Sequence, residues 1–175
     1  MPHRILFVCT ANICRSPTAE LLARSRYGES GVLVRSAGFL RSGEGSPDLL
    51  LQALNEAGVD GSAHRSFTLN AASLDAADLV LTMEGEHVQK ATLLHREAYP
   101  KIIPLTEAAD RARRHAHRSL APSELVDIVG AERDPSSYLT TTWDVSDPYN
   151  RKLKDYRRAV VEISQLVDDV FTRLT

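Results

Sequence analysis

Short apolar runs alternate with longer amphipathic stretches along the chain. Residues 4–8 (RILFV) form an unbroken apolar run after one arginine, the pattern of a buried strand. Residues 17–27 (PTAELLARSRY) predict a helix, which Ser16 can cap and Pro17 can open. A second strand is expected at 32–36 and a second helix at 47–57, ended by Gly58. A third strand follows at 78–83 (DLVLTM), with a helix behind it to about residue 99. Residues 101–105 (KIIPL) predict a fourth, shorter strand whose Pro104 belongs at an edge or a strand end. From about residue 149 to 174, Leu153, Tyr156, Val160, Ile163, Val167, Val170 and Leu174 recur at helical spacing and predict a closing helix. Strands alternating with helices argue for a parallel sheet with helices on both faces. Residues 107–143 are long for a connection and predict one or two short helices, such as 123–130.

Composition narrows the classes. A length of 175 residues suits one domain and allows a full core without disulfides or metal. A net charge of −2 provides no broad basic field, which argues against nucleic-acid binding. No apolar run approaches the ~18 residues of a membrane span. The start, MPHRILFVC, lacks the apolar stretch and small-residue cleavage site of a signal peptide. A cytoplasmic location is the expectation, with secretion by another route left open. The two cysteines do not make a disulfide framework, and in a reducing compartment such thiols are reactive or buried.

Both thiols fall in FVCTANICRSPTAE, residues 7–20. The stretch leaves the first strand at its carboxyl end, where open α/β sheets bind ligands. Between Cys9 and Ser16 the chain must form a tight loop, its N–H groups pointing inward above a helix N-terminus, which is an anion site. Arg15 adds a planar fork of donors suited to phosphate oxygens. A thiol in that field is held as the thiolate, a nucleophile aimed at phosphorus with no metal or other cofactor required. Arg15 and the loop amides would gain most from transition-state charge. The plainer alternative is that Cys9 is a small core residue at the end of a buried strand. Phosphate esters also need a proton for the leaving oxygen, so a carboxylic acid should sit over the loop. Asp147, in WDVSDPYNRKL, is the first candidate and Asp144 the second. Asp-Pro ahead of a long helix is also what N-capping selects, and spacing does not separate the two roles.

CTANICRSPTAE resembles the active-site loop of the bacterial low-molecular-weight protein tyrosine phosphatases, which usually reads C-x-G-N-x-C-R-S-P; here Ala11 stands in place of the glycine. RSAG at 35–38, SPD at 46–48, AHRS at 63–66, LVLTME at 79–84 and DPY at 147–149 fall where that family has similar segments. The resemblance implies a single three-layer α/β/α domain on a four-stranded parallel sheet of order 2-1-3-4, with 107–143 a longer insertion. It implies that Cys9 attacks phosphorus and that Asp147 protonates the leaving phenol and then activates water. Thr10, Ala11, Asn12, Ile13, Cys14 and Ser16 would cradle the phosphate, and Leu40 and Tyr149 would wall the substrate ring. Asn150 stands where some members carry a second tyrosine. Asn12 can accept a positive φ, and Ser16 can donate to the thiolate. Ser36 and His64 match a supporting polar network. Cys14 is either buried packing or a redox guard that forms a reversible disulfide with oxidised Cys9. The implied partner is a phosphotyrosine protein, with a bacterial tyrosine kinase among the candidates.

Three other functions compete. Arsenate reduction uses the same fold; its thioredoxin-coupled form needs cysteines beyond Cys14, which this chain lacks, but a form using a small thiol survives. A protein arginine phosphatase is the second, although arginine-specific members have threonine where this chain has Ile13. The third is a non-catalytic phosphate-binding module. RARRHAHR, residues 111–118, reads as a solvated helix face or a dock for acidic or phosphorylated partners.

Overall fold

Residues 5 to 9 of the first strand are all buried, because helices cover both sides of the sheet. In this computed structural model, which describes residues 3–115 and 117–174, β1 (His3–Cys9) lies between β2 (Val32–Gly38) and β3 (Leu79–Thr82), and β4 (Ile102–Pro104) completes the sheet beside β3. The order is β2-β1-β3-β4 and every pairing is parallel, as expected. Pro104 ends an edge strand, where its missing N–H costs no ladder bond.

Alternation along β1 divides the core. Ile5 and Phe7 face α1 (Arg15–Tyr27) and the closing helix, meeting Ala19, Leu22, Ile163 and Phe171. Leu6 and Val8 face the other way, toward Leu74 and Val88. Full burial of one such side chain contributes about 1.5–3 kcal/mol. The first face also carries α2 (Asp48–Glu56), packed on the closing helix; the second carries α3 (Ala71–Ala76) and α4 (Gly85–Leu94). After α4 come a 3-10 turn at Arg96–Lys101, β4, α5 (Leu105–Arg114), α6 (Pro122–Glu132), a second 3-10 turn at Pro135–Leu139 and α7 (Leu153–Phe171). Among the described residues no helix is long and apolar enough to cross a membrane.

The structure corrects several expectations. Cys14, not Ser16, occupies the N-cap of α1; Ser16 lies inside the first turn and its hydroxyl turns toward Cys9. The closing helix begins at Leu153 with Lys152 at the N-cap, so Asp147 does not cap it. Asp147 Oδ1 instead accepts the Tyr149 N–H at 3.0 Å, a local turn that fixes the DPY segment. The short helix α3 escaped the sequence pattern because six residues carry too little periodicity, although Asn70 and Ser73 cap its start reciprocally. The arginines of RARRHAHR are solvated as expected except for Arg111, and they are paired. Arg111 is buried beside Glu107, Asp110 and Glu132, Arg113 pairs with Asp169, and Arg118 pairs with Glu124. Ala116, within that segment, lies outside the described residues.

Candidate active site

β1 ends at Cys9 and α1 begins at Arg15, which leaves five residues to turn the chain through a half circle. Asn12 makes the turn with φ of 54°, in the left-handed region that asparagine tolerates. It is fully buried and bonded on every side. Its amide nitrogen donates to Ser16 Oγ (2.9 Å) and Ser36 Oγ (2.8 Å). Its side-chain oxygen accepts the Phe67 N–H (2.8 Å), and its carbonyl lies 2.7 Å from His64 Nε2. A carbonyl can only accept, so His64 carries its proton on that nitrogen. The Ser36 hydroxyl in turn donates a hydrogen bond to buried Glu20 at 2.5 Å. Ser36 and His64 therefore hold Asn12 in place and do not reach the sulfur of Cys9.

That scaffold aims two donors at Cys9. The Asn12 N–H points at Sγ (3.2 Å), and Ser16 Oγ lies 3.0 Å from it. Asn12 supplies a proton to Ser16 Oγ, so the serine's own proton can go to a thiolate at 3.0 Å, with the Ala37 carbonyl, at 3.4 Å, the longer alternative. Among the described residues the N–H groups of Ala11, Ile13 and Cys14 have no acceptor within the chain. They ring the start of α1, where the helix dipole favours negative charge.

Gly38 makes the close approach possible. It pairs with Cys9 in the sheet register, and a Cβ there would lie 2.6 Å from Asn12 N, 2.8 Å from the Ala11 carbonyl carbon and 2.9 Å from Thr10 O. All three are backbone atoms, so the loop itself would have to move. Gly38→Ala is expected to lower kcat/KM for an aryl phosphate by about 10²-fold, the scale of a displacement near 1 Å. Steady-state kinetics alongside a circular-dichroism melt check this; near-wild-type kinetics would contradict it.

Arg15 is 2% exposed and spans the site. Nη1 donates to Glu84 and to the Val145 carbonyl (2.9 Å), while Nη2 donates to Asp147 Oδ2 (2.9 Å). Burial works against its charge, but Asp147 and Glu84 outweigh this and raise its pKa. One arm is thus locked and the other shared with a carboxylate at the mouth. Asp144, the second candidate acid, accepts the Gly85 N–H (2.9 Å) and belongs to the start of α4.

A cavity of about 310 Å³ lies above Cys14 and Arg15. Thr10, Ala11 and Ile13 line its base, Leu40 and Tyr149 its walls, and Asp147, Arg41 and Glu44 its mouth. Leu40 and Tyr149 are about half exposed, so apolar surface faces an entering ring. The Ala11 methyl is accommodated as part of this lining. Neighbouring Phe39 turns away and packs on the His87 ring, 5.5 Å between centroids. Cys14 packs with Leu50, Leu54 and Tyr156. Burial, followed by Asp147 and Cys9, pushes its pKa up to about 12. It stays a neutral thiol near pH 7, which suits packing better than attack on an oxidised neighbour.

Sequence reasoning missed four members of this site. Glu84 lies just past β3 in LVLTME, Gly38 ends RSAG, and Glu20 lies one turn into α1. His87 sits 3.0 Å from Thr10 Oγ1; burial, with Arg15 and Lys90 adding to it, lowers its pKa to about 3, so it is neutral in the fold. Only Gly38 carried a local signal, a glycine at a strand end.

Comparison with known proteins gives one consistent result. The family model for low molecular weight phosphotyrosine protein phosphatase matches residues 4–124. A protein-arginine-phosphatase of Geobacillus stearothermophilus is 30% identical over 175 residues, covering 99% of this chain and 97% of the relative. A probable low molecular weight protein-tyrosine-phosphatase, EpsP, of Ralstonia nicotianae is 28% identical, covering 96% and 93%. The crystal structure of the low molecular weight protein tyrosine phosphatase from T. tengcongensis superposes with a TM-score of 0.75 at 28% identity, covering 98% of this chain and 99% of that one.

Proposed function

The chain belongs to the low molecular weight phosphotyrosine protein phosphatase family, and from that premise we propose that it hydrolyses phosphotyrosine in proteins through a cysteinyl-phosphate intermediate. One observation carries the reading: Cys9 Sγ is met by the Asn12 N–H and the Ser16 hydroxyl, and the loop that follows it lines a cavity together with Arg15 and Asp147, which are paired at 2.9 Å. Cys9 thiolate attacks phosphorus as the bond to the phenol oxygen breaks. The proton on Asp147 goes to that oxygen. Arg15 keeps Nη1 on Glu84 and Val145 and turns its remaining donors to the phosphoryl oxygens with the loop amides, whose charge they stabilise. In the second half, water attacks phosphorus, Asp147 takes its proton, the S–P bond breaks, and phosphate and the thiolate are released.

The apolar lining favours a phenyl ring over a guanidinium. Ile13, Leu40 and Tyr149 offer no charge, and the Glu44 carboxylate is paired with Arg41 at 2.9 Å. The Geobacillus stearothermophilus relative bears the arginine name, so the two substrates belong in one assay. A phosphotyrosine peptide is expected to exceed the matching phosphoarginine peptide in kcat/KM by about 10²-fold, within what an apolar pocket discriminates. The reverse ratio would overturn the assignment. The partner in this reading is a protein bearing phosphotyrosine, which a bacterial tyrosine kinase would supply.

A further inference from the structure

A second cavity lies apart from the one lined by Arg15 and Asp147. It measures about 610 Å³ and wraps the free edge of β2, reaching α1 on one side and α3 on the other. The sheet register explains its chemistry. Arg4 pairs with Leu33 and Leu6 with Arg35, so these four side chains share one face, where Leu6 is buried with Leu74 of α3 while Arg4, Leu33 and Arg35 stay exposed. Arg24 and Arg65 join them, which sets four guanidiniums against one carboxylate, Glu20.

Arg24 is the one of the four with a carboxylate partner, Glu20 at 3.3 Å. Arg4, Arg35 and Arg65 form no ion pair among the described residues, and Arg65 is steadied by the Ser62 and His64 carbonyls. Such forks bind phosphate or carboxylate oxygens bidentately. The rest of the wall is apolar: Leu33 is 53% exposed and Phe67 48% exposed. The volume matches that of small-ligand sites. A docked strand fits less well, because the parallel bridge of Gly38 with Thr68 already covers the C-terminal end of the β2 edge.

This cavity also touches the phosphate loop. Ser36, His64 and Phe67 line it, and each of them makes a hydrogen bond to Asn12, the residue that shapes the loop around Cys9.

We propose that the cavity at the β2 edge binds a small organic polyanion bearing an apolar ring, and that its occupant acts on the Asn12 scaffold as an effector. Phosphate groups lie on Arg4, Arg35 and Arg65, and the ring covers Leu33 and Phe67. The probes are ATP and inorganic tripolyphosphate, both metal-free. They are titrated calorimetrically into protein whose Cys9 has been carboxymethylated, so that the loop cannot take the anion. ATP is expected to bind, and to bind more tightly than tripolyphosphate. Arg4→Ala and Arg35→Ala should each weaken it about tenfold, one charge-assisted contact apiece. In unmodified enzyme at saturating aryl phosphate, ATP is expected to change kcat at least about twofold, a change that competition at the loop cannot produce and that the double variant should lose. Without ATP the double variant should keep wild-type kcat and KM. No binding to the blocked protein, binding unaffected by the arginine variants, an unchanged kcat, or displacement of ATP by an acidic heptapeptide that binds more tightly would each overturn the proposal.

Discussion

Cys9→Ser is expected to abolish turnover of aryl phosphates, by at least ~10⁴-fold, while leaving the fold and phosphate binding intact. The substitution keeps an atom that Asn12 N–H and Ser16 Oγ can still address. What it removes is the sulfur nucleophile. A serine there would need a general base, and neither histidine beside the loop is free to serve. His64 directs its Nε2 proton to the Asn12 carbonyl, and His87 Nε2 is engaged by Thr10 Oγ1. The loop is built to hold an anion, not to collect a proton. In the wild-type enzyme, acid quench after mixing with radiolabelled aryl phosphate should leave label on Cys9. Turnover within tenfold of wild type in Cys9→Ser, or label on another residue, would defeat the mechanism. A phosphate-binding module would show no turnover in the wild-type chain either, and a thiol-dependent arsenate reductase would show its turnover with arsenate instead.

Much of this site could be read from one stretch of sequence because one stretch builds its base. An apolar run, a cysteine, a short loop and Ser-Pro at a helix start are local features with local physical meaning, and β1, α1 and the loop follow from them. What surrounds the loop arrives by register. Gly38 meets the loop because β2 pairs with β1 so that it faces Cys9. Glu84 reaches Arg15 because β3 lies on the other side and ends level with Val8. Neither meeting has a spacing rule in the sequence, so Glu84, Glu20 and His87 gave no signal. Of the two roles open to Ser16, the cap fails and the contact with Cys9 holds. Its position before Pro17 is what a cap would show, and only the course of the loop decides that its hydroxyl turns to sulfur. Of the arginines at 111–118 all but Arg111 are solvated, as their pattern suggests; Arg111 is buried, and part of its neutralisation comes from Glu132 on a helix that folds back later in the chain.

Asp147→Ala should separate the two halves of the reaction. Asp147 sits at the mouth with one oxygen on Arg15 and the other on the Tyr149 N–H, so it is positioned but half exposed, within reach of both a leaving oxygen and an entering water. For phosphotyrosine the phenol leaves poorly without a proton, and kcat is expected to fall about 10²–10⁴-fold, the usual range for loss of a general acid. A dinitrophenyl phosphate leaves readily as the anion, so the first step should recover with that substrate. The second does not, because the water still lacks its base. The variant should then release a burst of dinitrophenol of about one equivalent per enzyme, followed by a slow phase set by hydrolysis of the cysteinyl-phosphate. The wild-type enzyme should show a smaller burst, since Asp147 serves both steps. Had the carboxylate been only a helix cap, its removal would cost about 1 kcal/mol of stability and leave the kinetics nearly level across leaving groups. The helix that it would have capped starts at Leu153, behind Lys152, so any stability lost in Asp147→Ala comes from its pair with buried Arg15 and not from a cap, while its rate collapses. A uniform loss for both substrates without a burst would remove Asp147 from the chemistry.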